Sequence, residues 1–460
     1  MLKELRNAWL WISSGDLRTE LRQLEEEGRD VPRLKAKIER LAALGDEKLF
    51  LPANQEKAGA LLDAAQKLPM RKGYAFDEPS DLAGIRKLRP RGPRRFTKKL
   101  SDKALLDRIT GAWLGRCVGC LLGKASEGVR TGDFWPFLQL TGQFPISDYI
   151  RFGAKGKAKK QFPQLARRAW CDDIDHMPID DDTNYTTTGY LIVKQCGADF
   201  TPADVAQFWM GNLPLLATCT AERVAYRNFA LQIQPPASAS FRNPHREWIG
   251  AQIRADAFGY VNVGNPERAA EFAWRDACIS HIKNGIYGEM LMAAMIAAAP
   301  YCDDPAVLVQ VGLSEIPKTS RLHRDIAEVC DWYRQGLSYD DAVAMIHEKW
   351  DETVGHDWCH TNSNAAICVA ALLWGHGDFG TSVCRAVQPC FDTDCNGATV
   401  GSIVGMMLGA KALPARWTSR LNNTLKTSLK GHETVEITKI ARDTFDLFKK
   451  IKDYCKTSVV

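Results

Sequence analysis

Residues 390–410, "CFDTDCNGATVGSIVGMMLGA", join an acidic start to a long run of small and apolar residues. Similar runs recur from about Ser101 onward, among them "GEMLMAAMIAAA" at 288–299 and "NAAICVAALLWG" at 364–375. Their apolar residues recur at helical spacing, whereas strand-like alternation is scarce. Because small residues let helices approach closely around a shared core, the sequence predicts an all-α fold with its chemistry on the loops between helices.

The acidic residues at the start of this stretch are spaced so that they can share a ligand. Asp392 and Asp394 flank Thr393 on a loop that leads into the predicted helix. Carboxylates at positions i and i+2 of such a loop can both point at one cation. Hard divalent ions take oxygen ligands, and Mg²⁺ is typically held by a few carboxylates together with water. The stretch therefore predicts half of a magnesium site.

A second acidic cluster stands much earlier in the chain, in "PIDDDTNYT" at 178–186. Its consecutive aspartates, Asp180, Asp181 and Asp182, repel one another, and the repulsion grows when they leave bulk water. An acidic run alone is more often a solvated turn than half of a cation site. Two such clusters in one chain favour the cation site, and we therefore predict that they meet around magnesium.

The bulk composition limits the classes of protein that need consideration. The chain has 460 residues, of which 45% are hydrophobic, and a formal net charge of only +5. It can bury a sizeable core, and its length suits one large domain with an appendage. The small net charge, concentrated in local basic stretches, argues against a dedicated nucleic-acid-binding surface but leaves acidic substrates open.

The 14 cysteines do not indicate a disulfide framework, because they are dispersed through a long chain whose start has no signal-peptide pattern. A reducing, cytoplasmic compartment is expected. Cys117 and Cys120 form a CxxC pair, but no second Cys or His pair at zinc spacing accompanies them, so core cysteines are the stronger interpretation. No apolar run reaches the length of a membrane span, and no membrane association is expected.

The first hundred residues differ from the rest. Apolar residues recur at helical spacing on both sides of the break "GRDVP" at 28–32, which predicts a helical hairpin. These residues are Leu17, Leu21, Leu24, Leu34, Ile38 and Leu41. The basic run from Arg86 to Lys99 has the composition of a linker or of a docking strap, and a solvated linker is the stronger interpretation of its charge. We therefore divide the chain into residues 1–100, a hairpin with a basic linker, and residues 101–460, the main domain.

Four motifs together resemble the ADP-ribosylglycohydrolase family, which includes proteins similar to the dinitrogenase-reductase-activating glycohydrolase. They are "GAWLGRCVGCLLGKASEG" at 111–128, "DDDTNYT" at 180–186, "ISHIKNGIYGEML" at 279–291 and "DTDCNGATVGSIVGMMLGA" at 392–410. Their order and rough spacing match the family over Ser101 to Pro414. The resemblance implies an all-helical catalytic domain that holds two magnesium ions in a cleft. It also implies cleavage of the glycosidic bond between ADP-ribose and an acceptor, often an arginine of a modified protein.

The resemblance also implies which residues hold the metals. The family's Thr-Asp-Asp-Thr motif is matched by Asp180, Asp181, Asp182 and Thr183, and its Asp-Thr-Asp-Thr motif by Asp392, Thr393, Asp394 and Cys395. Asp180 is a conservative departure for an oxygen ligand. Cys395 takes the place of a threonine in the metal site, and because a thiol is a poor ligand for a hard cation, water is expected to fill that coordination position. The glycine pair that precedes the second motif in the family is replaced by Cys390 and Phe391.

Two further residues receive roles through the resemblance. Glu127 falls where the family carries a glutamate close to the substrate ribose, so Glu127, Asp182 and Asp394 are the expected catalytic residues. Whether Glu127 or a water transfers the proton stays open. His281 matches a histidine that lines the ADP-ribose cleft. Without the resemblance, Glu127 would be a surface glutamate and His281 a satisfied histidine of a helix.

Two functions of other classes stay open beside the hydrolase. The changes at Cys395, Cys390 and Phe391 suit a protein that binds ADP-ribose with weak or no turnover. The N-terminal extension suits an immunity protein that blocks an ADP-ribosylating toxin. The segment "PHREWIGAQIRADAFGYV" at 244–261 has arginines and aromatic residues suited to a diphosphate and an adenine, but it could equally be a packed loop.

Overall fold

The computed structural model describes residues 6–152, 156–165 and 174–457. Within these ranges the chain forms helices joined by loops and one small antiparallel sheet, in which β1 (Thr424–Lys426) pairs with β2 (Thr434–Glu436). The all-α prediction is thereby confirmed. No helix in the described part combines the length and the apolar character that crossing a bilayer requires.

The described part of the first hundred residues begins with a π-helical turn, Arg6–Leu10, and continues with short helices. These are α1 (Ser14–Glu26), α2 (Pro32–Ala42), α3 (Asp46–Leu49), α4 (Pro52–Ala65) and α5 (Leu82–Leu88). The break at 28–32 separates α1 from α2, whose buried faces carry the periodic apolar residues. Helix α4 has no counterpart in the sequence prediction, because its run of small and polar residues lacks a clear apolar stripe.

The remaining helices come after α5 in the sequence and are joined by loops. They are α6 (Asp102–Lys124), α7 (Thr131–Leu140), α8 (Lys157–Gln161), α9 (Asp181–Cys196), α10 (Pro202–Asn212), α11 (Thr220–Ala230), α12 (Ala237–Ser240), α13 (Asp256–Tyr260), α14 (Pro266–Ala277), α15 (Lys283–Ala298), α16 (Pro305–Leu313), α17 (Arg321–Arg334), α18 (Tyr339–Lys349), α19 (Gly355–Cys359), α20 (Thr361–Gly375), α21 (Phe379–Val387), α22 (Thr393–Leu408), α23 (Ala415–Thr418) and α24 (Ile437–Thr457). Short 3₁₀ turns lie at Pro163–Leu165, Leu215–Ala217, Gln252–Arg254, Ala299–Tyr301, Ala410–Ala412 and Ser419–Leu421.

The buried apolar residues form two clusters. The smaller runs from Ile12 to Leu68 and is built by α1 to α4, which we call the N-terminal unit. The larger includes the small-residue helices and also Ile85 of α5, which precedes the predicted boundary at residue 100. The larger cluster thus includes a residue from before the predicted boundary, and a domain division at residue 100 stays a prediction.

Helices α6 and α22 form the centre of the larger cluster and run antiparallel with their backbones in close contact. Gly115 of α6 faces Gly401 of α22, and a Cβ atom on Gly115 would lie 2.0 Å from the carbonyl oxygen of Gly401. The glycines recur at every fourth position, which places them on one face of each helix. The antiparallel pairing brings the last turn of α6 next to the first turn of α22.

A buried arginine ties α9 to this pair of helices. Arg116 of α6 is fully buried and donates to the Asp182 carboxylate at 2.7 Å and to the Thr186 hydroxyl at 3.1 Å, both on α9. It also donates to the Thr399 hydroxyl of α22 at 3.3 Å. These bonds fix the start of α9 against α6 and α22, so three helices converge at one place.

The N-terminal unit is attached to the larger cluster through buried ion pairs. Arg246 places its guanidinium 2.6 Å from the Glu20 carboxylate and 2.7 Å from that of Glu27. The His245 ring lies 2.9 Å from the Asp16 carboxylate. All of these residues are buried. Charged contacts, in addition to apolar ones, therefore hold α1 in place.

The basic run from Arg86 to Lys99 is a docked strap over its first half. Arg86 lies 2.7 Å from Glu271 of α14, and Arg89 lies 2.5 Å from Glu315 after α16. The strap leads into the N-terminal end of α6. The interpretation as a solvated linker is therefore wrong for this half. The strap is also remote from the last turn of α6, because a helix of that length extends about 33 Å at 1.5 Å per residue.

Candidate functional site

The first acidic cluster forms the beginning of α9. Asp180 is the N-cap residue, and its carboxylate accepts a hydrogen bond of 3.0 Å from the backbone N–H of Asp182. Helix N-termini favour acidic side chains, because their first N–H groups lack partners and the helix dipole is positive there. The N-terminus of α9 therefore offsets part of the repulsion among the three adjacent aspartates.

The second acidic cluster occupies the same position on another helix. Asp392 is the N-cap residue of α22, and its backbone N–H donates to the Asn364 side chain at 3.0 Å. Thr393 donates its hydroxyl to the carbonyl oxygen of Gly123, near the end of α6, at 2.8 Å. The two acidic helix starts thus both lie at the last turn of α6.

The structure brings the two clusters together in space. Possible ligand atoms of Asp180, Asp182, Asp394 and Cys120 all lie within 4.8 Å of one another. The corresponding atoms of Asp392, Asp394 and Cys395 form a second group within the same limit. Asp394 belongs to both groups and is the point at which they join.

Asp181 belongs to neither group but lies in the same acidic environment. Its side chain is half-buried. Burial first, and then the Asp180 and Asp394 carboxylates, raise the pKa of Asp181 to about 8. Asp181 is thus near both clusters, although its ligand atoms are not among those grouped most tightly.

The electrostatics of the site favour the arrival of a cation. Burial raises the pKa of Asp394, and the Asp180 carboxylate adds to the increase. Burial and then Asp394 likewise raise the pKa of Asp392 well above its ordinary value. In the described part of the chain, one carboxylate oxygen each of Asp182 and Asp394 is buried without a hydrogen-bond partner. Unpartnered, mutually repelling oxygens fit a hard divalent ion, which would supply the missing positive charge.

Two cations of the chain itself already lie among these carboxylates. Lys124, at the end of α6, pairs with Asp180, and Arg116 pairs with Asp182. Burial would lower the pKa of Lys124, but Asp180 outweighs it and the pKa is raised. The neighbouring Cys120 thiol has a pKa raised well above its ordinary value, first by burial, so it stays protonated and is a poor ligand.

Arg116 and Lys124 were not predicted as parts of this site, and Cys120 was predicted only as a core cysteine. A usable signal was present, because the three residues are spaced by four and therefore share one face of a helix that is otherwise small and apolar. A charged residue on the buried face of such a helix indicates a buried partner of opposite charge.

Glu127 follows α6 directly and its side chain is exposed. The Asp394 carboxylate is the largest of the causes that raise the pKa of Glu127 to about 9, followed by burial, Asp180 and Asp181. Glu127 therefore shares the electrostatic environment of the two acidic clusters, and its catalytic role stays a prediction.

His281 lies in a buried polar network instead of on an open surface. Its Nδ1 is 2.9 Å from the Ser280 hydroxyl and its Nε2 is 4.0 Å from the Glu222 carboxylate. Burial, and then the charge of Arg254, lower the pKa of His281 well below its ordinary value. The histidine is therefore neutral, and its role in an ADP-ribose cleft stays a prediction.

The segment at 244–261 is a packed loop followed by a 3₁₀ turn and by α13, and its arginines have partners within the chain. Arg254 lies 2.7 Å from the Glu222 carboxylate and also pairs with Asp276. Arg246 is paired with α1, as described above. Both guanidinium groups are buried. They are therefore committed to carboxylates of the protein and not presented to a diphosphate.

A third group of possible metal ligands lies where α1 meets the main body of the protein. Nε2 of His356 and of His360 lie 3.1 and 3.4 Å from the Glu26 carboxylate, but among the described residues only His356 makes a hydrogen bond there, and the Nε2 of His360 is buried without a partner. The Nδ1 of His356 accepts from the Trp248 indole at 3.0 Å, and the Nδ1 of His360 accepts from the backbone N–H of Asn362 at 3.0 Å. Because each Nδ1 accepts a hydrogen bond, the proton of each neutral ring is on Nε2, and a protonated nitrogen cannot bind a metal.

Two acidic helix starts meet in this all-α chain, and their carboxylates could hold a hard cation. Comparison with family models is more specific, because the model for ADP-ribosylglycohydrolase matches residues 101–454. The chain therefore belongs to the ADP-ribosylglycohydrolase family, as its motifs predicted. Membership supports a metal-dependent hydrolase that acts on ADP-ribose linkages.

Comparison with solved structures gives a match to a chain of an "ADP-ribosylglycohydrolase-related protein complex". The two chains are 18% identical, the match covers 76% of this chain and 99% of the other, and the TM-score is 0.43. No curated protein sequence matches this chain.

Proposed function

We propose that the protein is a magnesium-dependent hydrolase that releases ADP-ribose from modified proteins, with arginine-linked ADP-ribose as its main substrate. The observation that carries the proposal is the meeting of Asp180, Asp182 and Asp394 within 4.8 Å, although they come from two distant segments. Family membership supports the hydrolase class, and the unpartnered carboxylate oxygens support a divalent ion.

The metal would be held by the two acidic helix starts. The ligands we propose are Asp180, Asp181, Asp182, Asp392 and Asp394, with water in the position beside Cys395. When bound, magnesium supplies positive charge that orients the ribose hydroxyls and offsets the repulsion between the carboxylates.

The chain's own residues would act on the sugar and on the leaving group. Cleavage of a ribosyl bond develops positive charge on the ring, which the carboxylates of Asp182 and Asp394 can stabilise. Glu127 is exposed beside them and can transfer a proton between water and the substrate. Arginine as the acceptor is proposed from the likeness of the motifs to the family, in which arginine is often the acceptor.

The test measures free ADP-ribose released by the full chain from arginine-linked and serine-linked ADP-ribosylated proteins, with magnesium or with EDTA. We expect release from the arginine-linked substrate, its loss in EDTA, and its loss in Asp394→Asn. The matched control is Asp303→Asn, which changes an exposed aspartate outside the site and should keep full activity. Release that persists in EDTA, or no release from either substrate, would overturn the proposal.

A second candidate is an ADP-ribose-binding protein with weak or no turnover. One observation favours this candidate. Lys124 and Arg116 already neutralise two of the carboxylates that would hold the metal. Calorimetric titration with ADP-ribose distinguishes the two. Micromolar binding without measurable hydrolysis of either substrate would establish the binding protein.

A further inference from the structure

The basic residues of the strap differ in their charge neutralisation. Arg86, Arg89 and Arg94 are paired with carboxylates, Arg94 with Glu315 at 3.0 Å. Arg95, Lys98 and Lys99, at the end of the strap, are exposed, and no ion pair is described for them in the part of the chain that the structure covers. Exposed like charges this close together repel one another unless an anion lies between them.

These three residues line a cavity of about 520 Å³ at the N-terminal end of α6. Arg268 of α14 and Lys452 of α24 also line it, whereas none of its described lining residues is an aspartate or a glutamate. We call this cavity the strap pocket. Its volume lies in the range of small-molecule sites, and five cationic residues from three separate segments converge on it.

Two other features of the strap pocket suit a phosphate-bearing ligand. Asn265, the N-cap residue of α14, is part of the lining, so the positive end of a 12-residue helix faces the cavity. The rings of Phe96 and Tyr301 stack on each other at a centroid distance of 5.3 Å and form an aromatic wall. Arginine and lysine side chains beside a helix N-terminus are typical phosphate contacts.

We propose that the strap pocket binds a diphosphate-bearing anion, either a nucleoside diphosphate or inorganic pyrophosphate. This site is separate from the acidic site, because the two lie at opposite ends of α6, about 33 Å apart at 1.5 Å per residue. The proposal does not depend on the hydrolase function. It assigns Arg95, Lys98 and Lys99 to a ligand, while the paired arginines anchor the strap to α14 and to Glu315.

The test is calorimetric titration of the full chain with pyrophosphate and with ADP, in EDTA so that no metal bridges either ligand to the carboxylates. The first variant is Arg95→Gln/Lys98→Gln/Lys99→Gln. The matched control is Lys67→Gln/Arg71→Gln/Lys72→Gln, which removes the same number and kinds of exposed charge from the N-terminal unit. We expect at least a tenfold loss of affinity in the first variant and no change in the control.

Comparison of the affinities for ADP and for pyrophosphate distinguishes a nucleotide ligand from the inorganic anion. Tighter binding of ADP indicates a nucleotide whose base contacts the aromatic wall, whereas equal binding indicates the inorganic anion. Equal weakening in both triple variants, no binding at millimolar ligand, or tighter binding of an oligonucleotide than of either anion would overturn the proposal. If the triple variant melts early, Lys98→Gln alone should still weaken binding about threefold.

Discussion

Gly119 of α6 and Gly397 of α22 meet backbone to backbone: a Cβ atom on Gly119 would lie 1.8 Å from the carbonyl oxygen of Gly397. No side-chain adjustment can relieve such a contact, because the obstacle is main chain. The separation of the two helices at this level also sets the distance between the acidic clusters, since both clusters lie only a turn or two farther on.

Gly119→Ala should therefore destabilise the protein by at least about 3 kcal/mol, at the upper end of overpacking effects. It should also weaken magnesium binding, because the helices must separate where the clusters join. Urea denaturation measures the first effect and calorimetry the second. The control is Gly211→Ala on α10, where an added Cβ would meet no atom within 4 Å and stability should change by less than about 1 kcal/mol. Equal effects of the two substitutions would contradict the close approach.

Asp394→Asn should raise stability while it removes activity. Burial and neighbouring carboxylates raise the pKa of Asp394, so the ionised form is unfavourable without a metal, and a neutral amide of similar size relieves the repulsion. We expect a higher thermal midpoint in EDTA than that of the wild type, and hydrolysis reduced by at least about 100-fold, the upper end for residues around a metal. A lower midpoint in EDTA would show that Asp394 is stabilised by contacts other than a cation.

Lys124→Met should make the protein depend more strongly on magnesium. The substitution keeps the length of the side chain but removes the ammonium that pairs with Asp180. In EDTA we expect a loss of roughly 1–3 kcal/mol, the range for a hydrogen bond to a charged group. Magnesium should then stabilise the variant more than it stabilises the wild type. Lys103→Met, an exposed change at the start of the same helix, serves as the control and should leave both values unchanged.

The docking of α1 should weaken in acid. Burial alone would raise the pKa of Glu26, but the hydrogen bond from His356 and the charges around it lower it overall. Burial likewise opposes a lowering at Asp16, where the hydrogen bond from His245 prevails. A carboxyl group with a lowered folded-state pKa contributes stability above its unfolded pKa and loses that contribution as the pH falls. Glu20 acts in the opposite direction, because burial raises its pKa.

Thermal unfolding of the wild type and of Glu26→Gln between pH 7 and pH 3.5 tests this expectation. The variant should be less stable at pH 7, and the difference should shrink below about pH 4.5, where the unfolded carboxyl group is protonated. A difference that stays constant over the whole range would mean that the Glu26 charge does not stabilise the docked unit.

Much of the architecture could be predicted from local sequence. The runs of small residues indicated close helix packing, and α6 and α22 show it at Gly115 and Gly401. The meeting of the acidic clusters followed from ligand number, because neither cluster alone could hold a divalent ion. Both inferences use information contained within a short segment or in the composition of two segments.

The contacts that escaped prediction join segments that are far apart in the chain. Glu20 and Glu27 have the spacing of an exposed helix face, and only the folded structure places Arg246 against them. The carboxylates that pair with Arg116 and Lys124 likewise become apparent only in the folded structure, where α9 lies against α6. Pairing between distant charges leaves no periodic pattern, so a single sequence can indicate that a charge is buried but cannot reveal which residue it pairs with.

The ion pairs between α1 and Arg246 also set an order of events during synthesis. Glu27 leaves the ribosome more than two hundred residues before Arg246, a delay on the order of 10–40 s at the usual 5–20 residues per second. During that interval Glu20 and Glu27 lack Arg246, and only nearby residues such as Arg29 are available to pair with Glu27. Although it is synthesised early, α1 is therefore among the later elements to reach its final position, because its buried carboxylates must wait for the segment that carries Arg246.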